Sequence, residues 1–342
     1  MTHNSSKSKI VYSFGRIIPP IPEGHALSIT SVDHVHHDLR NLSVKRLILS
    51  GPITFEPPAC LESLEADRVC DADIRKMPNL RELKVGIWSF AGVPESLRSL
   101  EVSRLVGMHS KTIDCTNLET LKVHPSYYLA NTKNLKTLHL KCDIEGFPAD
   151  GRKPRDLTDM ESLTTLVFEG EVIPFVPPSS VRKFKAKYIY TTHLHDMPNL
   201  KEVDVDGIFG KLTFKHPIEM LKINGARVEN SCIDCSQITS LILEHNYELT
   251  CTQNLRFLSI GPHFNLGDLI YSFCCSMSSL KCLQLIGREL IYNLHMFKHI
   301  EILTLINCHS ISPEFKIPRS VKKIVQIGSR FSVDAGIENV FA

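Results

Sequence analysis

The chain has no apolar run approaching the roughly 20 residues that a membrane-spanning helix needs. It also lacks an excess of either charge. Thirty-nine Lys and Arg against 37 Asp and Glu leave a formal charge of +2, which supplies no basic footprint for nucleic acid and no polybasic patch for a membrane surface. The first residues, MTHNSSKSKIVYSFGRIIPP, lack the continuous apolar stretch of a secretory signal. Cysteine is present, but the 11 residues are odd in number and scattered, which suits free thiols in a reducing compartment better than a disulfide framework. The expected location is cytoplasmic; nuclear residence and unconventional secretion stay open. The sequons at Asn4 and Asn41 are short enough to arise by chance. There is no phosphate loop, no glycine-rich dinucleotide fingerprint, no GxSxG elbow and no convergent triad spacing. The expectation is a protein that is not an enzyme and carries no cofactor.

What the chain does have is a repeat. An apolar residue, two others, an apolar residue, one other and a further apolar residue recur in VKRLIL, LESLEA, LRELKV, LRSLEV, LETLKV, LKTLHL, LTTLVF, VRKFKA, LKEVDV, IEMLKI, ITSLIL, LRFLSI, LKCLQL, IEILTL and VKKIVQ. The copies begin at Val44, Leu61, Leu80, Leu97, Leu118, Leu135, Leu163, Val181, Leu200, Ile218, Ile238, Leu255, Leu280, Ile300 and Val321. A fainter one surrounds Leu27 and Ile29. A longer period lies on top. MPNLRELKV at 77 matches MPNLKEVDV at 197, and IDCTNLETLKV at 113 matches IDCSQITSLIL at 233, each 120 residues apart. The solenoid is read over 22–327, as a duplicated block at about 44–162 and 163–299 with a partial third copy at 300–327. Residues 1–21 and 328–342 are read as terminal tails or caps.

The motif resembles that of the leucine-rich repeat superfamily, LxxLxLxxN/C. The resemblance implies an α/β repeat solenoid: a curved horseshoe of about 15 repeats with a parallel β-sheet on its concave face. Two departures modify it. The family's Asn position is mostly apolar here (Trp88, Leu105, Ile189, Ile208), so the loop backbone must find other partners. The short repeat leaves little room for helix, so the convex side is expected to be extended or 3-10, with few short helices, one of them around LGDLIYSFCCSM. Functionally the resemblance implies a non-catalytic scaffold that binds an unknown partner protein on the concave face. The substrate-recognition subunit of an F-box-like ubiquitin-ligase adaptor, and a secreted or effector protein, are the alternatives.

Strand alternation points the motif's apolar residues inward and those between them outward. In register, Lys183, Lys185 and Lys187 then stand beside Glu202, Asp204 and Asp206 of the next repeat. Two readings stay open: a ladder of exposed ion pairs, each contributing up to about 1 kcal/mol, or a polar docking stripe. The matching positions of the first block, Ser63, Glu65 and Asp67 beside Glu82, Lys84 and Gly86, lack the pattern. Further on, the outward positions, Phe257, Cys282, Gln284, Ile286, Ile302, Thr304, Ile306, Val325 and Ile327, are unusually apolar for a solvent-facing sheet. This is either a partner-binding patch or a surface that the C-terminal tail covers. DHVHHD offers His34, His36 and His37 as weak metal ligands, without the partner cluster of a closed site, so no metal is expected. Cys232 and Cys235 form a lone CxxC, and Cys235 matches Cys115 across the 120-residue period.

Overall fold

The computed structural model describes residues 9–12, 26–30, 35–51, 53–69, 74–87, 93–104, 112–141, 155–170, 175–190, 194, 196–226, 231–265, 277–287, 294, 297–309, 316–329 and 337–341. The chain divides into two compact units, Met1–Ile144 with Asp159–Leu163, and Glu145–Thr158 with Thr164–Ala342.

Each unit is a parallel β-solenoid. The strand of each repeat pairs with the strand of the next, and the pairing keeps motif positions in columns. In the first unit Leu27, Leu47, Leu64, Leu83, Leu100, Leu121 and Leu138 stand directly beside one another. In the second the same column reads Leu166, Phe184, Val203, Leu221, Leu241, Leu258, Leu283, Leu303 and Ile324. All of these residues are buried. A fully buried aliphatic side chain contributes roughly 1.5–3 kcal/mol, and a one-residue slip would turn the whole column to solvent. Register is therefore set by the motif itself.

The entry into each strand is also uniform. The N–H of the motif's first residue donates to the carbonyl three residues back: Leu61 to Pro58, Leu80 to Met77, Leu118 to Cys115, Leu135 to Thr132, Leu200 to Met197 and Val321 to Pro318. An asparagine immediately before the motif links successive turns. Asn79 donates its amide to the carbonyl of Ala59 in the preceding turn, Asn134 to Thr116, Asn199 to Ser179 and Asn254 to Ser236, at 2.5–3.0 Å.

The opposite wall is made of short parallel strands. Val35–Asp38 pairs with Ile53–Glu56, and Thr112–Asp114 with Tyr128–Ala130. In the second unit Arg155–Asp156 pairs with Phe175–Val176, and Lys211–Leu212, Cys232–Asp234 and Glu248–Thr250 form a small sheet. Phe55, Ile113, Phe175, Leu212, Ile233 and Leu249 turn their side chains into the core from these strands. The α/β class expected from the resemblance is not what the described residues contain. Helix there is limited to the 3-10 turns Thr132–Asn134, Cys235–Gln237 and Thr252–Asn254 and to isolated helical positions at 74, 75, 194 and 294. After a strand and its entry turn, a repeat of about 20 residues has length for another strand but not for a packed helix. Every quoted copy carries a strand, and among the described residues nine short strands form the opposite wall. The helix expected around LGDLIYSFCCSM lies outside the described residues, as does most of residues 1–21. None of the described helices is long and apolar enough to cross a membrane.

Features 120 residues apart coincide in detail. Asn131 and Cys251 both adopt the left-handed conformation, at φ 55 and ψ 47 and at φ 53 and ψ 47, and each opens a 3-10 turn. Asp114 and Asp234 both accept the N–H two residues on, from Thr116 and Ser236. Cys115 and Cys235 are both buried.

Candidate functional site

The charged stripe lies on the two adjacent strands Lys183–Tyr190 and Glu202–Phe209. They pair with Lys183 beside Glu202 and Lys185 beside Asp204, and both pairs close as ion pairs at 2.8 and 3.4 Å. The third does not. Asp206 is exposed and makes no ion pair among the described residues, while the Lys187 ammonium lies 5.5 Å from the centre of the Tyr188 ring. On the far side Asp204 stands beside Lys222 and accepts the Asn224 amide at 2.9 Å.

The contrast drawn with the first block is corrected by the register. There the charges alternate across strands at a single position: Glu65 beside Lys84, Lys84 beside Glu101, and Glu101 beside Lys122. Lys84 bonds Glu65 at 2.9 Å and Lys122 bonds Glu101 at 3.4 Å. Both units therefore carry a charge ladder on the solvent face of the long sheet, a cross-strand arrangement in which opposite charges satisfy one another. Exposed pairs of this kind contribute up to about 1 kcal/mol each to the sheet.

Two departures stand out. The first is an aromatic stack just beyond the lysines and acids. Tyr190 lies beside Phe209, ring centres 4.9 Å apart and planes 18° from parallel, and Tyr188 meets the same Phe209 at 5.4 Å. Tyr190 is exposed. Five-residue strands would have ended before these rings, so motif reading missed them, although the signal, Tyr-Ile-Tyr after three alternating lysines, was in the sequence. The second is the apolar patch. Phe257, Cys282 and Ile302 are direct neighbours, as are Ile286, Ile306 and Ile327 four residues on, beyond Gln284 and Thr304. Ile302 and Ile327 are 36% and 39% exposed, and Phe257, Ile286 and Ile306 are half-buried. The described part of the C-terminal tail does not lie over this patch. Glu338–Phe341 adds as a further parallel strand beside Lys323–Ile327. It places Asn339 after Ile324 in the buried column, and Gln326 donates to Asn339 at 2.9 Å, so the apolar column ends on a polar pair, as a solenoid cap requires.

The histidines and cysteines fall elsewhere. His34 lies outside the described residues. His36 and His37 occupy adjacent positions on Val35–Asp38, so their side chains diverge, and His36 Nδ1 is 3.2 Å from the Thr54 hydroxyl. The neighbouring carboxylates are engaged by cations. Arg40 bonds Asp38 at 2.7 Å and holds its carboxyl down at about 2, and Lys76 bonds Glu56 at 2.9 Å. Burial, followed by the charge of His36, lowers the His37 pKa. Among the described residues no three His, Cys, Asp or Glu side chains gather into a metal-binding group. His124, one residue past the end of the strand at Val123, is buried, and its Nδ1 accepts the Ser126 N–H.

The CxxC does not act as a pair. Cys235 points into the core with its thiol on the Ile233 carbonyl, whereas Cys232 is half-buried on the preceding strand. Burial first, then the Asp234 charge, pushes the Cys235 thiol up to about 12. At pH 8 only about one such thiol in ten thousand is ionised, and the thiolate is the species that reacts. Iodoacetamide at pH 8 is therefore expected to alkylate the exposed Cys251 rapidly and Cys235 only after unfolding, as read by peptide mass spectrometry. Equal labelling of the two in the folded protein would show that the convergence of Cys235 on the core is wrong.

No protein-family model matches the chain, and no curated protein does.

Proposed function

We propose that this protein is a non-catalytic interaction scaffold of the leucine-rich repeat kind, in which the long sheet forms the concave face of a horseshoe and receives a partner protein. The observation that carries this reading is the apolar patch on the solvent face of the second unit's sheet, where Phe257, Ile286, Ile302, Ile306 and Ile327 stand among the polar neighbours Gln284, Thr304 and Lys323. An exposed apolar cluster rimmed by polar residues is the usual mark of a protein-binding surface. Rigid paired strands present it with little ordering cost on binding. The ion pairs Lys183–Glu202 and Lys185–Asp204 lie further along the same sheet, beyond the strands Ile218–Ile223 and Ile238–His245, and the partner meets this surface in the cytoplasm.

The test is crosslinking capture from native lysate followed by mass spectrometry, comparing the unaltered chain with Ile302→Asp/Ile306→Asp and with Lys183→Glu/Lys185→Glu, each first shown to fold by circular dichroism. Burying two aspartates where isoleucines stood is expected to lower recovery of a direct partner by roughly tenfold or more, the scale of losing a central contact. The lysine variant is expected to lose less, as charges outside the buried contact do. Undiminished recovery in the isoleucine variant would remove this face as the site. The identity of the captured partner separates a free-standing scaffold from a ubiquitin-ligase adaptor.

A further inference from the structure

The third acid of the stripe has no use in the ladder. Glu202 and Asp204 are neutralised by Lys183 and Lys185, but Asp206 stands exposed with no ion pair among the described residues. Its strand neighbour Gly207 lies directly opposite Tyr188. Gly207 puts no side chain between the strands there; the Tyr188 ring meets Phe209 at 5.4 Å, and Tyr190 stacks on the same Phe209 at 4.9 Å. Asp206, without an ion pair among the described residues, thus immediately precedes the glycine that faces Tyr188, and the outer ring of the aromatic group, Tyr190, is 42% exposed. The aromatic group already draws a cation: the Lys187 ammonium sits over Tyr188.

Resting on the reading of this chain as a protein-binding scaffold, we infer that Asp206 with Tyr188, Tyr190 and Phe209 forms a seat for an arginine side chain of the partner. A guanidinium is planar, so it lies flat on an aromatic face while its edge donates two parallel hydrogen bonds to a carboxylate. A lysine ammonium satisfies either contact but matches the pair less well. Tyr188 stands one strand spacing, about 4.8 Å, from Gly207, the residue next to Asp206, so one guanidinium can reach both the carboxylate and the Tyr188 ring. The equivalent positions 120 residues earlier carry Arg68 and Cys70 in place of Tyr188 and Tyr190, so the seat is a feature of the second copy alone.

The test uses the full chain carrying 3-fluorotyrosine and follows its fluorine resonances by NMR, the signals of Tyr188 and Tyr190 being assigned from single Tyr→Phe variants. The titrants are N-acetyl-arginine amide, N-acetyl-lysine amide and N-acetyl-citrulline amide, the last a neutral isostere of arginine. The expected result is a saturable shift of the Tyr188 and Tyr190 signals with the arginine compound, a weaker one with lysine and none with citrulline. Asp206→Asn is expected to weaken the arginine response roughly tenfold, by loss of a charge-assisted bond. Tyr190→Ala, followed at Tyr188, is expected to weaken it roughly threefold. A linear, unsaturable shift, an equal response to citrulline, or an undiminished response in Asp206→Asn overturns the proposal. If a partner is captured through the apolar patch and yet arginine does not bind, the seat is wrong and the scaffold reading stands. If arginine binds and no partner is captured, the seat stands and the reading of the apolar patch fails.

Discussion

Replacing Phe168 by alanine is expected to cost about 3–5 kcal/mol, the range for emptying a buried aromatic site. Phe168 ends the inward-facing set of the strand Thr165–Glu169 and is 2% exposed. Its ring meets Phe175 edge-on, with centres 5.4 Å apart and planes at 81°. Phe175 belongs to the short strand Phe175–Val176, so this contact joins the long sheet to the opposite wall. The ring also fills the space beside Gly170, where an added Cβ would come within 2.3 Å of it. Nothing small can occupy the volume, since the neighbouring column is held in register by Leu166 and Phe184. In a solenoid each turn contacts only its neighbours, so a void at one turn is not relieved by distant repacking. Urea unfolding of the full chain, followed by circular dichroism, reads the loss as a lowered midpoint. Phe168→Leu should retain most of the stability because it keeps much of the volume. A loss below about 1 kcal/mol for alanine would show that the two walls are joined elsewhere.

Much of this architecture was legible because the motif carries its own register. The spacing from Lys183 to Glu202 and from Lys185 to Asp204 places each pair side by side once the apolar columns align, and the ion pairs follow. Three things were not legible, each for a physical reason. The first unit's ladder runs across strands at one position, Glu65, Lys84, Glu101 and Lys122, so a comparison along two strands at three positions passes over it. The aromatic stack lies beyond the fifth strand residue, where the motif stops informing and pairing nevertheless continues to Tyr190 and Phe209. The strands of the opposite wall, two to four residues long, are too short to show any periodicity. The asparagine before the motif, by contrast, was visible as NL in MPNL, TKNL and TQNL; only its acceptor, a carbonyl in the preceding turn, needed the fold.

Gly225→Ala should destabilise the second unit by roughly 3 kcal/mol, at the upper end of the usual range for overpacking, whereas Gly210→Ala should cost about 1 kcal/mol. The two glycines separate two causes. Gly210 has a positive φ of 71° and nothing within 4 Å of an added Cβ, so alanine there suffers only the backbone conformation. Gly225 has room for no Cβ at all, since the methyl would lie 2.2 Å from the Asp206 carbonyl oxygen and 3.0 Å from its carbon. Those are backbone atoms, and the chain on both sides is held. Gly225 N–H donates to that same Asp206 carbonyl at 2.6 Å, and the N–H of Asn224 donates to Val205 at 2.9 Å. The Asn224 amide bonds Asp204, and the Tyr247 hydroxyl, its ring buried, donates to the carbonyls of Gly225 and Ala226. Relief therefore requires the 206–225 pair to separate, which breaks hydrogen bonds rather than rotating a side chain. Urea midpoints of the two variants decide the matter: a larger loss at Gly225 identifies contact with Asp206 as the constraint. Equal losses near 1 kcal/mol would mean that the turn yields and that the close approach of these two strands is not rigid. The same variant displaces the backbone that carries the Asp206 carboxylate, so its arginine response should fall together with its stability, while Gly210→Ala leaves that response unchanged.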